Sequence, residues 1–294
     1  MKYISADTFA ELYTKAMDQV YNDPDYITSP RGLKIKECLN VVMELTNPLN
    51  NLFKCDDKSL TLATAYLKKE ISLYLAAKND AKLFATASPF WNKIKNDDDT
   101  VNSAYGHLIF NPSLNDGRSQ FDWAYDCLKL DKDSRQAIIR FNHTGHQYSG
   151  VKDFVCTFIM IFHIRNNKLY ATVSMRSNDI FKGLAYDLPS FTIFQYLMYL
   201  KLKEIYTDLE LGTYTHISHS LHIYESDFDL CEKRLSAKLL NNSLPMPKNY
   251  NCIKSDDINT IVNIKLVDKV KTQINDITSI QYSENIDFYN WLLS

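Results

Sequence analysis

One stretch of the chain gathers residue types that can do chemistry together: Cys156, Arg176, Ser177, Asp179, Gly183 and Asp187. A cysteine is a nucleophile as its thiolate, and a neighbouring cation such as Arg176 favours that form. Cys156 precedes Arg176 by 20 residues, and Asp187 follows Arg176 by 11. Each residue also has a plainer reading. A cysteine in an apolar strand is most often a small buried hydrophobe. Arg176-Ser177-Asn178-Asp179 alone is a solvated turn after a strand, and Asp187, just before Pro189, favours a helix start. Spacing by itself favours the inert reading.

Other candidates stand further off. Glu70 follows Lys68 and Lys69 in an apolar helical pattern, and a solvated carboxylate in a weak surface pair is its default role. Trp91 and Tyr105 are core or pocket aromatics. His216, His219 and His222 recur at every third position, yet no fourth ligand stands at a suitable spacing, so no metal is expected. The chain has only 7 glycines and neither G-x-G-x-x-G nor G-x-x-x-x-G-K-[ST]. A bound phosphate must therefore be held by arginines rather than by a glycine cradle.

The elements that must position these residues follow from periodicity. Residues 8–21 carry Phe9, Leu12, Tyr13, Ala16, Met17 and Val20 on one helical face, with Asp7 as N-cap. Asp23-Pro24 breaks that pattern, residues 29–32 turn, and a strand follows near 37–45. Residues 60–77 read as a second helix. Residues 136–141, 154–165 and 168–175 are rich in branched and aromatic types and read as strands. Asn166-Asn167 joins the last two as a tight turn, because asparagine tolerates positive φ. Cys156 and Arg176 thus fall at the same end of a hairpin. Pro189 stands near the start of a helix whose apolar surface is nearly all-round, so it is buried. Helices, then strands, then a buried helix predict an α+β fold in a single domain, 1–294. The part from Leu235 onward gives no clear pattern.

Composition narrows the function. A net charge of −2 and a pI near 6.4 give no electrostatic case for coating nucleic acid. The N-terminus lacks the continuous apolar core of a signal peptide, and no apolar run approaches the ~20 residues that span a bilayer. A soluble cytoplasmic protein, of a bacterium or a phage-infected host, is expected, with no membrane partner. The six cysteines are scattered and none forms C-x-x-C, which argues for reduced thiols.

The central run resembles the thymidylate synthase family, with Cys156 at the nucleophile position, Arg176-Ser177-Asn178-Asp179 at its R-S-x-D, and Asp187 at its base-reading position. Other segments resemble it in the same order: Tyr66 to Tyr74 with Glu70, Phe90-Trp91 with Tyr105-Gly106, Asp133-Ser134-Arg135, and Leu221-His222-Ile223-Tyr224. The resemblance implies a thymidylate-synthase-like fold, a central mixed sheet with a long buried helix, and a homodimer through the sheet. It assigns catalysis to Cys156, Glu70 and Asp187. It gives the nucleotide to Arg176, Ser177, Arg31, His222, Tyr224 and Asp187, with Arg135 reaching from the second subunit. It gives the folate co-substrate, 5,10-methylenetetrahydrofolate, to Trp91, Asp179, Gly183 and Tyr186. Departures are also present. Gln136 replaces a second arginine, Ile94 replaces a second cleft tryptophan, Arg31 and Lys34 compete for an offset phosphate loop, and the C-terminus does not match the closing tail.

Asp187 stands where thymidylate synthases keep asparagine, as it does in phage deoxycytidylate hydroxymethylases. Uracil offers N3–H as donor and O4 as acceptor, which an asparagine amide matches. Cytosine offers N3 as acceptor and its amino group as donor, which a protonated carboxyl matches; a carboxylate pairs with N3-protonated cytosine. A mismatch leaves buried polar groups unpaired at ~1–3 kcal/mol each. The expected activity is 5-hydroxymethylation of a cytidine monophosphate, dCMP first. The alternatives are CMP hydroxymethylation, dCMP C5-methylation, thymidylate synthesis, and a non-catalytic nucleotide- or RNA-binding module.

Overall fold

A computed structural model describes residues 1–253, 257–259, 261–262 and 284–294. The chain divides into two compact units, each assembled from separate segments: residues 1–62, 156–195 and 209–244 in the first, and 63–155, 196–208 and 245–294 in the second.

The first unit is built on a mixed sheet whose axis is the long strand Glu210–Tyr224. Ile35–Leu45 runs antiparallel on one side of it, from Ile35 opposite Tyr224 to Leu45 opposite Tyr214. Lys168–Met175 runs parallel on the other, with Met175 opposite Ser218. Lys2–Ala6 adds in parallel beyond Ile35–Leu45, and Thr157–Arg165 adds antiparallel beyond Lys168–Met175. The short strand Asn178–Asp179 pairs with Leu221 and His222. The helix Phe9–Asn22 buries Phe9, Leu12, Tyr13, Ala16, Met17 and Val20, the face expected from the sequence. Its N-cap is Thr8, not Asp7. Thr8 is extended (φ −125°, ψ 147°), and its side chain accepts from the Glu11 amide at 3.3 Å. Arg234, also buried, donates to the Leu60 carbonyl and the Tyr13 hydroxyl, and lies against the rings of Tyr13, Phe53 and Phe181.

The hairpin of Thr157–Arg165 and Lys168–Met175 turns at Asn166 and Asn167, both with positive φ (49° and 58°), as their identity predicts. The buried helix spans Ala185–Lys203, with Pro189 near its start, in the second turn. A π-helical turn, Ile180–Leu184, leads into it, and the chain is already helical when proline arrives. Leu188, Phe191, Ile193, Phe194, Leu197, Met198 and Leu202 are each at most 1% exposed, which fits the all-round apolar pattern. The Gln195 amide donates to the carbonyls of Leu169, Gly212 and Thr213, where the ladder between Lys168–Met175 and Glu210–Tyr224 shifts register between Leu169 and Ala171.

The second unit is mainly helical, with Thr64–Leu75, Ala81–Ala87, Tyr105–Phe110 and Gln120–Leu130. Gly106 is obligatory there, because a Cβ on it would stand 1.9 Å from the Tyr74 carbonyl oxygen. The helix Tyr105–Phe110 can approach Thr64–Leu75 only without that atom. The predicted strand at 136–141 shrinks to Ile138–Arg140, and the helix predicted at 60–77 to Thr64–Leu75. The C-terminal helix Ile286–Leu293 buries Phe288, Tyr289 and Leu292, while the Lys68 ammonium donates to the Ser294 hydroxyl at 2.7 Å. No helix among the described residues is long and apolar enough to cross a membrane.

Candidate active site

Cys156 does not sit within its strand, as the apolar run implies, but immediately before it: the ladder begins with Thr157 opposite Met175. Arg176 is the first residue after the facing strand, and its amide donates to the Cys156 carbonyl at 2.8 Å. The hairpin therefore brings the two residues side by side despite their separation in sequence. A bulge between Thr157 and Ile159 follows at once. Such an irregularity at a strand end re-aims side chains. Cys156, Arg176 and Ser177 are all partly accessible, as groups that meet a ligand must be.

Beyond Ser177 the chain bends through a second cluster. The Asp179 carboxylate caps the π-helical turn, accepting from the amides of Phe181 (2.7 Å) and Lys182 (3.1 Å). Burial pushes its carboxyl up, opposed by His222 and Lys182. Its second oxygen is buried without a hydrogen-bond partner, with the Lys182 ammonium 3.9 Å away. Asp187, in the first turn of the helix, accepts from the Asn178 amide nitrogen at 2.7 Å. Burial pushes the Asp187 carboxyl up to about 6; the Asn178 hydrogen bond opposes the shift and the charge of Asp179 adds to it. Such a carboxyl can be protonated or ionised near neutral pH. Gly183 stands over this pair: a Cβ there would lie 3.1 Å from the Asn178 amide nitrogen and 3.2 Å from Asp187 Oδ2.

His222 pairs in register with Asp179 and packs edge-on against Tyr224, with ring centroids 5.1 Å apart. Arg31, at positive φ, places its guanidinium 3.5 Å from the Tyr224 hydroxyl, whereas the Lys34 ammonium is paired with Glu225 at 2.6 Å. Of the two competing basic residues, Arg31 is the one beside Tyr224. The three histidines of the strand Glu210–Tyr224 do not converge. His216 and His222 are buried, whereas His219 is exposed and bonded to Asn40 and Ser174. His216 shares a hydrogen bond with the Tyr214 hydroxyl at 3.0 Å, and burial lowers it to about 3.

The remaining predicted residues belong to the second unit. Glu70 is not a solvated carboxylate. It is 6% exposed and accepts from the Tyr66 hydroxyl at 2.7 Å. Trp91 is 7% exposed, edge-on to Phe84 at 5.0 Å, and its indole nitrogen is buried without a hydrogen-bond partner. Arg135 is exposed and borders an open groove with Arg140, Gln136 and Trp123. Tyr186 lies partly accessible in the same first helical turn as Asp187. Sequence reasoning missed Asn178 as a partner of Asp187. Its position inside R-S-N-D marks it, but the nine-residue reach across a π-turn leaves no periodic signal.

A family model described as thymidylate synthase matches residues 12–283. The chain is 26% identical over 233 residues to a deoxyuridylate hydroxymethyltransferase of Bacillus phage SP01, covering 74% of this chain but only 57% of that protein. It is 25% identical over 224 residues to the deoxycytidylate 5-hydroxymethyltransferase of Enterobacteria phage T4, covering 71% and 84% of the two chains. A thymidylate synthase of Fusobacterium nucleatum is 26% identical over 188 residues, covering 63% and 66%. Among solved structures, the thermostable thymidylate synthase A of Bacillus subtilis superposes with a TM-score of 0.61 over 82% of this chain and 87% of that one, at 19% identity. The chain belongs to the thymidylate synthase family, whose enzymes are one-carbon transferases that use 5,10-methylenetetrahydrofolate.

Proposed function

We propose that the chain hydroxymethylates C5 of a cytidine monophosphate, dCMP before CMP, with Cys156 as nucleophile. The folate supplies a one-carbon unit at the oxidation level of formaldehyde. The Cys156 thiolate adds to C6 of the pyrimidine, which makes C5 nucleophilic toward that unit. C5 bonds to the methylene; loss of the C5 proton with cleavage of the methylene–nitrogen bond, which releases tetrahydrofolate, leaves an exocyclic methylene on the nucleotide; water adds to it, and the thiolate then departs from C6. The net reaction consumes water and leaves tetrahydrofolate, so nothing is oxidised or reduced. Arg176 and Ser177 hold the phosphate, with Arg31 beside Tyr224 and His222 at the sugar. Glu70 orients water and relays protons, a task suited to a buried carboxylate. By the same resemblance, the protein works as a homodimer packed through its sheet, with Arg135 serving the partner's phosphate.

The observation that carries the reading is Asp187: a carboxyl pushed up to about 6 in the unit that holds Cys156 beside Arg176. The similarity to the T4 protein supports the same choice of base. A second reading has one observation in its favour, the SP01 relative that acts on deoxyuridylate. Tritium release from C5-labelled dCMP and dUMP, with methylenetetrahydrofolate present, separates the two. Faster release from dCMP is expected, and faster release from dUMP overturns the assignment of the base.

A further inference from the structure

Asn178 is 2% exposed, yet its side chain is asymmetric in what it does. Its amide nitrogen donates to Asp187 Oδ2 at 2.7 Å and lies 3.0 Å from the Met175 sulfur. Its carbonyl oxygen is buried with no hydrogen-bond partner. This amide is therefore not fixed by a network of its own. Its one strong contact is the Asp187 carboxyl. Gly183 closes over the same pair: an added Cβ would stand 3.1 Å from the Asn178 amide nitrogen and 3.2 Å from Asp187 Oδ2, so either side chain would have to give by a few tenths of an ångström.

We infer that Asn178 is a positioning residue that decides which oxygen of Asp187 carries the proton, and so decides that the site reads cytosine. The inference rests on the reading of Asp187 as the base reader. An amide N–H donates more strongly to the carbonyl-type oxygen of a carboxyl than to its hydroxyl oxygen, which keeps only weaker acceptor capacity. Oδ2, held by Asn178, is favoured as the acceptor, so a proton on Asp187 is favoured on Oδ1. Oδ1 then donates to cytosine N3, while Oδ2, with a second lone pair, accepts from the amino group. Without Asn178 the carboxyl can rotate and carry its proton on either oxygen, and the pattern matching cytosine is one state among several. Gly183 contributes by absence, because an added methyl would press on both partners of the bond. Asp179 and Tyr214 are the described titratable groups whose charges couple to Asp187, and neither donates a hydrogen bond to it among the described contacts.

The test compares Asn178→Leu, Gly183→Ala and Asp187→Asn in the full chain, using dCMP and dUMP with methylenetetrahydrofolate. Asn178→Leu keeps the shape and removes the donor. It should cut the dCMP-over-dUMP ratio of kcat/KM roughly tenfold, the size of one hydrogen bond to an ionisable group. Because the Asn178 bond favours the ionised carboxyl, its loss should also move the Asp187 limb of the pH profile upward. A destabilised but correctly aimed site would change neither quantity. If Asn178→Leu does not fold, Gly183→Ala decides by the same ratio. Unchanged preference and pH profile in a folded variant, with preference altered in Asp187→Asn, overturns the role of Asn178 and leaves the base reader standing. Unchanged preference in Asp187→Asn overturns the base reader, and the inference with it.

Discussion

The hairpin that carries Cys156 and Arg176 and the bend that carries Asp187 are built by different physics. In the hairpin, position follows from the backbone. Two asparagines at positive φ set the turn, the ladder sets the register, and an amide-to-carbonyl bond sets Arg176 beside Cys156. In the bend, position follows from side chains. Asp179 caps the π-turn, Asn178 holds Asp187, and Gly183 leaves them room. Substitutions in the hairpin away from Cys156 are therefore expected to be tolerated, whereas in the bend a single side chain holds the geometry of Asp187.

The largest effect belongs to the hairpin's reactive end. Cys156→Ala should abolish turnover and C5 tritium exchange, a loss of ~10⁴-fold or more, as for other nucleophile deletions. Calorimetry should show nucleotide binding retained, since the backbone that places Arg176 is untouched. Turnover at the wild-type rate would remove Cys156 from the mechanism. Glu70→Gln should follow, with a loss of ~10²–10⁴-fold in kcat, the range of a positioned acid or base. An unchanged kcat would return Glu70 to a purely structural role.

In the bend the expected result is opposed in sign for activity and stability. Asp187→Asn should lose cytidylate turnover and gain some on dUMP. It should also be more stable than the wild type at pH 7. A carboxyl raised from 3.8 to about 6 by burial binds its proton more tightly when folded. The wild type is then undiminished below the unfolded value, loses stability as pH rises toward 6, and stays lower above it, by roughly 1–3 kcal/mol. Urea unfolding across pH 4–8 checks this, and a flat difference between the two proteins would remove the ionisation argument. The smallest effect returns to the hairpin turn. Asn167→Val, at φ 58°, should cost ~1–2 kcal/mol of stability with little change in kcat per folded enzyme. A large fall in kcat at unchanged stability would mean the turn has a part in chemistry.

These two regions also divide what the sequence made legible. The Asn166-Asn167 turn was readable because positive φ is a property of the residues themselves. The buried face of Phe9–Asn22 was readable because burial follows period. Strand ends were less so: the apolar run through Phe154 and Val155 overstates a strand that starts at Thr157. The proline near the helix start was legible, but the π-turn that leads into the helix left no signal. Glu70 looked solvated beside two lysines, and only tertiary packing buries it. The Asn178–Asp187 bond had no signature, since it joins residues at neither helical nor strand spacing. The resemblance to a family supplied the roles of Cys156 and Asp187, which composition and periodicity alone would have left inert.

The central claim is that water, not hydride, reaches the one-carbon unit on a cytosine base. Mass analysis of the nucleotide formed from dCMP, CMP and dUMP with methylenetetrahydrofolate, read together with the folate product, tests it most directly. The expected product is a cytidylate heavier by one CH2O unit, with tetrahydrofolate formed in step. A product heavier by only a CH2 unit, with dihydrofolate accumulating as nucleotide is consumed, would contradict it.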